Sequence, residues 1–242
     1  MRILLVSDLH YALPQLDWVV SVAGDYNLVV VAGDLLDISS IVEPDAQIAV
    51  VLEYLTRLAG RTTVIACSGN HDLNAENEHD ERAAAWLSGA ERAGVSVDGS
   101  RLDLPDALVT VCAWWDGPRT REDVDRQLAE DAALVGDRMW IWVYHAPPDD
   151  SPTSWTGQRH YGDADLVAWI EQYGPDVVFS GHVHQAPFMP DGAWIDTIGT
   201  TSVFNSGRQP GPVPTHVELD TDTGLARWSS YEGVDERTFA GV

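Results

Sequence analysis

Short β-branched runs alternate along the chain with longer amphipathic stretches. Residues 3–7, 28–32, 63–68, 108–113, 139–144 and 177–180 are apolar at successive positions rather than at every second one. That pattern predicts strands covered on both faces. Residues 14–23, 44–58, 79–93, 122–134 and 163–172 predict helices. The second of these opens with Pro44 in its first turn and has Glu43 and Asp45 beside the positive end of the helix dipole. Strands alternating with helices in this way predict an α/β layered fold. After residue 180 the pattern changes to short β-like pieces, 193–198, 213–220 and 225–231, joined by Gly, Pro and Asn turns. Asp222 to Gly224 marks a hairpin between the last two. Residues 147–162 are a loop by composition, carrying prolines, serines, Trp155 and Tyr161. With no repeat and no composition break, residues 1–242 are expected to form one domain.

The candidate chemistry sits where the predicted strands end. Asp8-Leu9-His10 follows the first strand, Gly33-Asp34-Leu35-Leu36-Asp37 the second, and Gly69-Asn70-His71-Asp72 the third. His145 closes the strand over 139–144, and Gly181-His182-Val183-His184 follows 177–180. Ligands of open α/β sheets bind at the carboxyl ends of the strands. In extended backbone, residues i and i+2 share a face, so this spacing allows Asp8 and His10 to address one ion, and likewise His182 and His184. Glycines before Asp34, Asn70 and His182 permit close backbone approach. Imidazole, carboxylate and one amide suit Mn, Fe, Zn, Ni or Co better than Ca or Mg.

Charge narrows the partners. The chain has 14 arginines, no lysine and 38 acidic residues, a formal net charge of −24. Such a surface repels nucleic acid and anionic membranes, so a small substrate is expected. No apolar run is long enough for a signal segment or a membrane span, and the expected location is cytoplasmic. Cys67 and Cys112 lie in apolar runs and read as small buried residues rather than a disulfide framework.

The ordered set D-x-H, G-D-x-x-D, G-N-H-D, a lone H after a strand and G-H-x-H, from Asp8 to His184, resembles the signature of the calcineurin-like metallophosphoesterases. It covers about three-quarters of the chain. Asn205-Ser206-Gly207 resembles the family's N-P-G element, with Ser in place of Pro. The resemblance implies a four-layer α/β/β/α sandwich with two mixed sheets and metals at the strand carboxyl ends. It implies a dinuclear centre of two divalent or trivalent transition metal ions, manganese and iron favoured. Asp8, His10 and His184 would hold one ion, Asn70, His145 and His182 the other, with Asp34 bridging. A metal-bridging hydroxide would then attack a phosphomonoester or phosphodiester, a nucleotide or cyclic nucleotide being preferred. His71 would serve the leaving oxygen, while Asp37 and Asp72 would orient groups behind the ligands. A phosphoprotein phosphatase is the alternative enzyme. A non-catalytic interaction scaffold on the same fold is the alternative class, although scaffold members typically lose ligands that are all present here.

Beyond these blocks, Arg159, His160 and Trp115 are candidate substrate contacts. A guanidinium suits phosphate, and Trp115 follows a strand. Arg208 is equally a surface residue or a substrate contact, and Trp155 and Tyr161 are candidates to cover a planar group. Trp140 and Trp142 are expected to pack the sheet, His216 to be structural, and His79 to be solvated at a helix start.

Overall fold

The structure, a computed structural model, describes residues 1–239. The chain runs through β1 (Arg2–Val6), α1 (Leu13–Val22), β2 (Leu28–Ala32), α2 (Pro44–Ala59) and β3 (Thr63–Cys67). A small hairpin of β4 (Ala75–Glu76) and β5 (Arg82–Ala83) and a single turn, α3 (Ser88–Glu91), lead to β6 (Ser96–Val97). Next come β7 (Arg101–Asp103), β8 (Ala107–Val111), α4 (Pro118–Ala132), β9 (Met139–Val143), α5 (Ala164–Tyr173) and β10 (Val177–Ser180). The chain continues through β11 (Ile195–Ile198), β12 (Thr201–Asn205), β13 (His216–Asp220), β14 (Leu225–Ser230) and β15 (Gly233–Thr238).

Two mixed sheets result, ordered β15-β14-β13-β1-β2-β3-β6 and β11-β12-β10-β9-β8-β7. Residue alternation explains why they stack. In β1, Leu4 and Val6 face the layer of α1 and α2, whereas Ile3 and Leu5 face the other sheet. In β9, Trp140 and Trp142 face α4 and α5, and Ile141 and Val143 meet the first sheet. The central strands are therefore apolar on both faces and pack as α/β/β/α, the expected fold. Trp140 and Trp142 pack edge to face at 5.1 Å, and Cys67 and Cys112 are buried and free. Asp222 to Gly224 does turn the chain between antiparallel β13 and β14.

The expected helix over 79–93 does not form. Asn77 Oδ1 accepts the backbone N–H of His79 and Glu81 and turns the chain back. The Glu81 carboxylate accepts from the N–H of Arg119 and Thr120 and so caps α4 from outside. The Trp86 indole donates to the Asp72 carbonyl. These distant partners outweigh local helix propensity, leaving α3 as one turn. His79 is accordingly solvated beside Glu78 but starts no helix. The strand expected over 213–220 begins only at His216, after Pro214, whose ring nitrogen has no hydrogen to donate. His216 packs on Trp18, a structural position.

Candidate metal centre

Strands β1, β2 and β3 run parallel, as do β8, β9 and β10, so their carboxyl ends share one edge of the sandwich. The loops there are backbone-strained. Asp8, His10, Tyr11, Asp34 and His182 all have positive φ, between 42° and 66°. Each such conformation costs of order 1–3 kcal/mol in a non-glycine residue and persists only when surroundings enforce it. The turns are locked together: Asp8 N–H donates to the Gly33 carbonyl, and His10 N–H to that of Asp34.

The left-handed turns change how the motifs work. Asp8 and His10 do converge, through a turn and not through extended alternation. His182 and His184 part company. The donor atoms of Asp8, His10, Asp34 and His184 lie within 4.8 Å of one another, and those of Asp34, His145 and His182 form a second such group. Asp34 belongs to both. A third group joins His10, Asp37 and His71.

Distances within the groups suit metal coordination. Nε2 of His10 stands 3.0 Å from Nε2 of His184, which is 3.2 Å from Asp8 Oδ1. His145 Nε2 lies 3.3 Å from Asp34 Oδ2. Ligands about 2.1 Å from one ion and at right angles to each other are roughly 3 Å apart. Nδ1 of His145 is 2.7 Å from the Ala32 carbonyl; donating there, it orients the ring so that Nε2 faces the cluster and can ligate once it has given up its proton. His145 Nε2, Asn70 Oδ1 and His71 Nδ1 are buried without a hydrogen-bond partner. Buried polar atoms are normally satisfied, and a cation satisfies lone pairs that no donor reaches.

Electrostatics point the same way. Burial alone would raise Asp8, but hydrogen bonding and charge from His184, with charge from His145, hold it below the ordinary carboxylate range. Burial likewise opposes ionisation of Asp34, yet the charge of His145 and the His71 N–H hold it low. Burial would lower His145, but Asp34 and then Asp8 push it up to about 10. Burial takes His10 and His182 down to about 4 against the carboxylates. The cluster thus presents ionised carboxylates and two histidines that are neutral at pH 7.

Behind the cluster, buried Asp72 accepts from the N–H of Leu35, Leu36 and Gly69, tying the β2 loop to the β3 loop. Burial and then the Asp34 charge raise its carboxyl to about 7. It touches loop backbone rather than a histidine. Asp37 accepts from Ser39 N–H while lying beside His10 and His71. The Ser7 hydroxyl donates to Asp8 and stands 2.7 Å from the Ser206 hydroxyl. Sequence reasoning did not single out that support, although Ser in the N-P-G-like element was its signal. A Cβ at Gly69 would run into Asp34, and one at Gly181 into Asp8 and the Ser7 side chain. Gly181→Ala is expected to cost roughly 1–3 kcal/mol of overpacking, lowering Tm by several degrees. An unchanged Tm would refute this close-approach account.

The other candidates divide. Tyr161 stacks on His182 at 5.1 Å, and the Arg159 guanidinium lies over Tyr161 at 5.3 Å. His160 joins neither donor group; its Nδ1 is 3.0 Å from the Ser151 carbonyl and from Ser154 Oγ, within its own loop. Trp155 packs on His160 and donates to the Pro190 carbonyl, so it covers no part of the cluster. Trp115 donates to Asp163 and lines a pocket beside His182. Sequence reasoning missed Asp163 and Tyr144, which share a 2.5 Å hydrogen bond in the wall of that pocket. Arg208 donates its backbone N–H to the His184 carbonyl and makes no ion pair among the described residues.

Among the described residues no helix is long and apolar enough to cross a membrane. No curated protein matches this sequence. Solved structures share the fold. One is the structure of TT1561 of Thermus thermophilus, with TM-score 0.63, 14% identity and 98% of each chain covered. Another is purple acid phosphatase PPD1 from yellow lupin, Lupinus luteus, with TM-score 0.59 and 14% identity, the match covering 99% of this chain and 53% of that one. The sequence model described as calcineurin-like phosphoesterase matches residues 1–186. The strand-end motifs and the fold carrying them agree with that match: the chain belongs to the calcineurin-like phosphoesterase family, a family of metal-dependent phosphoesterases.

Proposed function

We propose that the protein hydrolyses a small phosphomonoester or phosphodiester at a dinuclear centre. One observation carries the reading: buried Asp34 belongs to two separate groups of metal-capable donors. Asp8, His10 and His184 would hold one transition metal ion, Asn70, His145 and His182 the other, and Asp34 both; manganese and iron are favoured. When bound, the pair supplies Lewis acidity and a nucleophile at neutral pH.

The chain supplies the rest. His71 donates its backbone N–H to Asp34 Oδ1 and packs edge-on to His10 at 4.5 Å. Its imidazole is thereby placed beside the cluster to give a proton to the leaving oxygen, with Asp37 orienting it. Arg159, over Tyr161, and Arg208, whose charge reaches His10, would attract the substrate's anionic phosphate.

The test is hydrolysis of p-nitrophenyl phosphate and bis-p-nitrophenyl phosphate with Mn²⁺ and with chelator. Chelator-sensitive turnover supports the enzyme; absence of both turnover and bound metal favours the scaffold alternative. A pH effect also follows. In ion-free protein His145 stays protonated up to about pH 10, so its Nε2 must lose that proton to bind a metal. Uptake should release about one proton per chain from this residue, and affinity should rise about tenfold per pH unit from 6.5 toward 10. Calorimetry at pH 8 in buffers of different ionisation enthalpy measures the release; none would mean that His145 is already neutral in the ion-free protein.

A further inference from the structure

A pocket of about 490 Å³ opens next to His182, walled by Trp114, Trp115, Tyr144 and Tyr161. Its volume suits a small organic group. Its position is tied to the cluster, because His182 packs against both Trp114, at 5.2 Å, and Tyr161, at 5.1 Å. A phosphate held at the cluster therefore has this pocket within reach of its ester substituent.

The charge on the walls is one-sided. Asp116, Asp163 and Asp165 line the pocket with His182, and no arginine does. Arg121 pairs with Asp165. Asp163 accepts from Tyr144 and Trp115 and caps α5, Asp116 accepts the backbone N–H of Arg82, and neither forms an ion pair among the described residues. Arg159 lies over the Tyr161 ring outside the pocket lining, and Arg208 sits by His184. The Arg208 charge reaches His10 in the cluster and Arg159 covers Tyr161 from outside the lining, while aromatic rings and carboxylates enclose the pocket itself. Aromatic faces with nearby carboxylates attract cations and repel anions.

We propose that this pocket takes the organic half of the ester and selects a cationic one, an amino alcohol or a quaternary ammonium alcohol, over neutral and anionic ones. The proposal rests on the phosphoesterase reading above. Three p-nitrophenyl phosphodiesters test it, with choline, methanol or glycolate as the second alcohol and the leaving group held constant. On metal-loaded protein, kcat/KM for the choline ester should exceed that for the methyl ester by roughly tenfold, and the glycolate ester should be slowest. Asp116→Asn should shrink the choline-to-methyl ratio. Equal kcat/KM for the three overturns the pocket's role and leaves the phosphoesterase reading standing. If no phosphate ester is turned over, that reading fails, and binding of free choline then decides the pocket. Saturation-transfer NMR to its methyl protons, weakened by Asp116→Asn and by Trp115→Ala, supports the site, and no transfer overturns it.

Discussion

Asp34→Asn lowers kcat/KM by about 10³-fold or more, since losing the shared carboxylate forfeits several kcal/mol of charge stabilisation at about 1.4 kcal/mol per decade. The side chain is buried, its Oδ2 is 3.3 Å from His145 Nε2 and 3.7 Å from His10 Nε2, and it alone joins the two Asp34-containing donor groups. Asparagine keeps an oxygen to accept the His71 N–H, so the loop geometry survives. It places an uncharged NH₂ where Oδ2 stood, and an NH₂ cannot ligate. Elemental analysis should show both metal positions depleted, because each group loses its common member. Retention of both ions with the wild-type rate would exclude Asp34 as the bridge.

His71→Ala separates the proton donor from the metal centre. The contact that ties residue 71 to Asp34 is made by its backbone N–H, which any side chain preserves. His71 also lies outside both groups that contain Asp34. Metal content should therefore hold. On esters of alkyl alcohols, whose oxygen needs a proton to depart, kcat should fall about 10²–10⁴-fold; on p-nitrophenyl esters, whose phenolate leaves unaided, much less. A series of leaving groups of rising pKa measures the slope. The same loss across the whole series would assign His71 a purely structural role.

The fold and the cluster were largely legible because both depend on local pattern. Strands such as β2 are apolar at every position, which only burial on two faces explains, and each polar motif directly follows such a run. What was not legible depended on partners far along the chain or on backbone hand. Residues 79–93 carry a helix-like composition, but Glu81 is claimed by Arg119 and Thr120 and Trp86 by Asp72. The β15 strand is exposed along most of its length and half its residues are charged, so it carries no apolar signal. The spacing of His182 and His184 suggests a common face, whereas the left-handed backbone at His182 sends them to different donor groups. Trp115 and Tyr161 were legible as candidate walls, but Asp163 reaches the same pocket only through the folding of its loop.

Titrating metal-stripped protein with Mn²⁺ while following bis-p-nitrophenyl phosphate hydrolysis tests the central claim of a dinuclear centre most directly. Activity should stay low through the first equivalent and saturate near about two ions per chain. Full activity with one ion, or in the stripped protein, would contradict it.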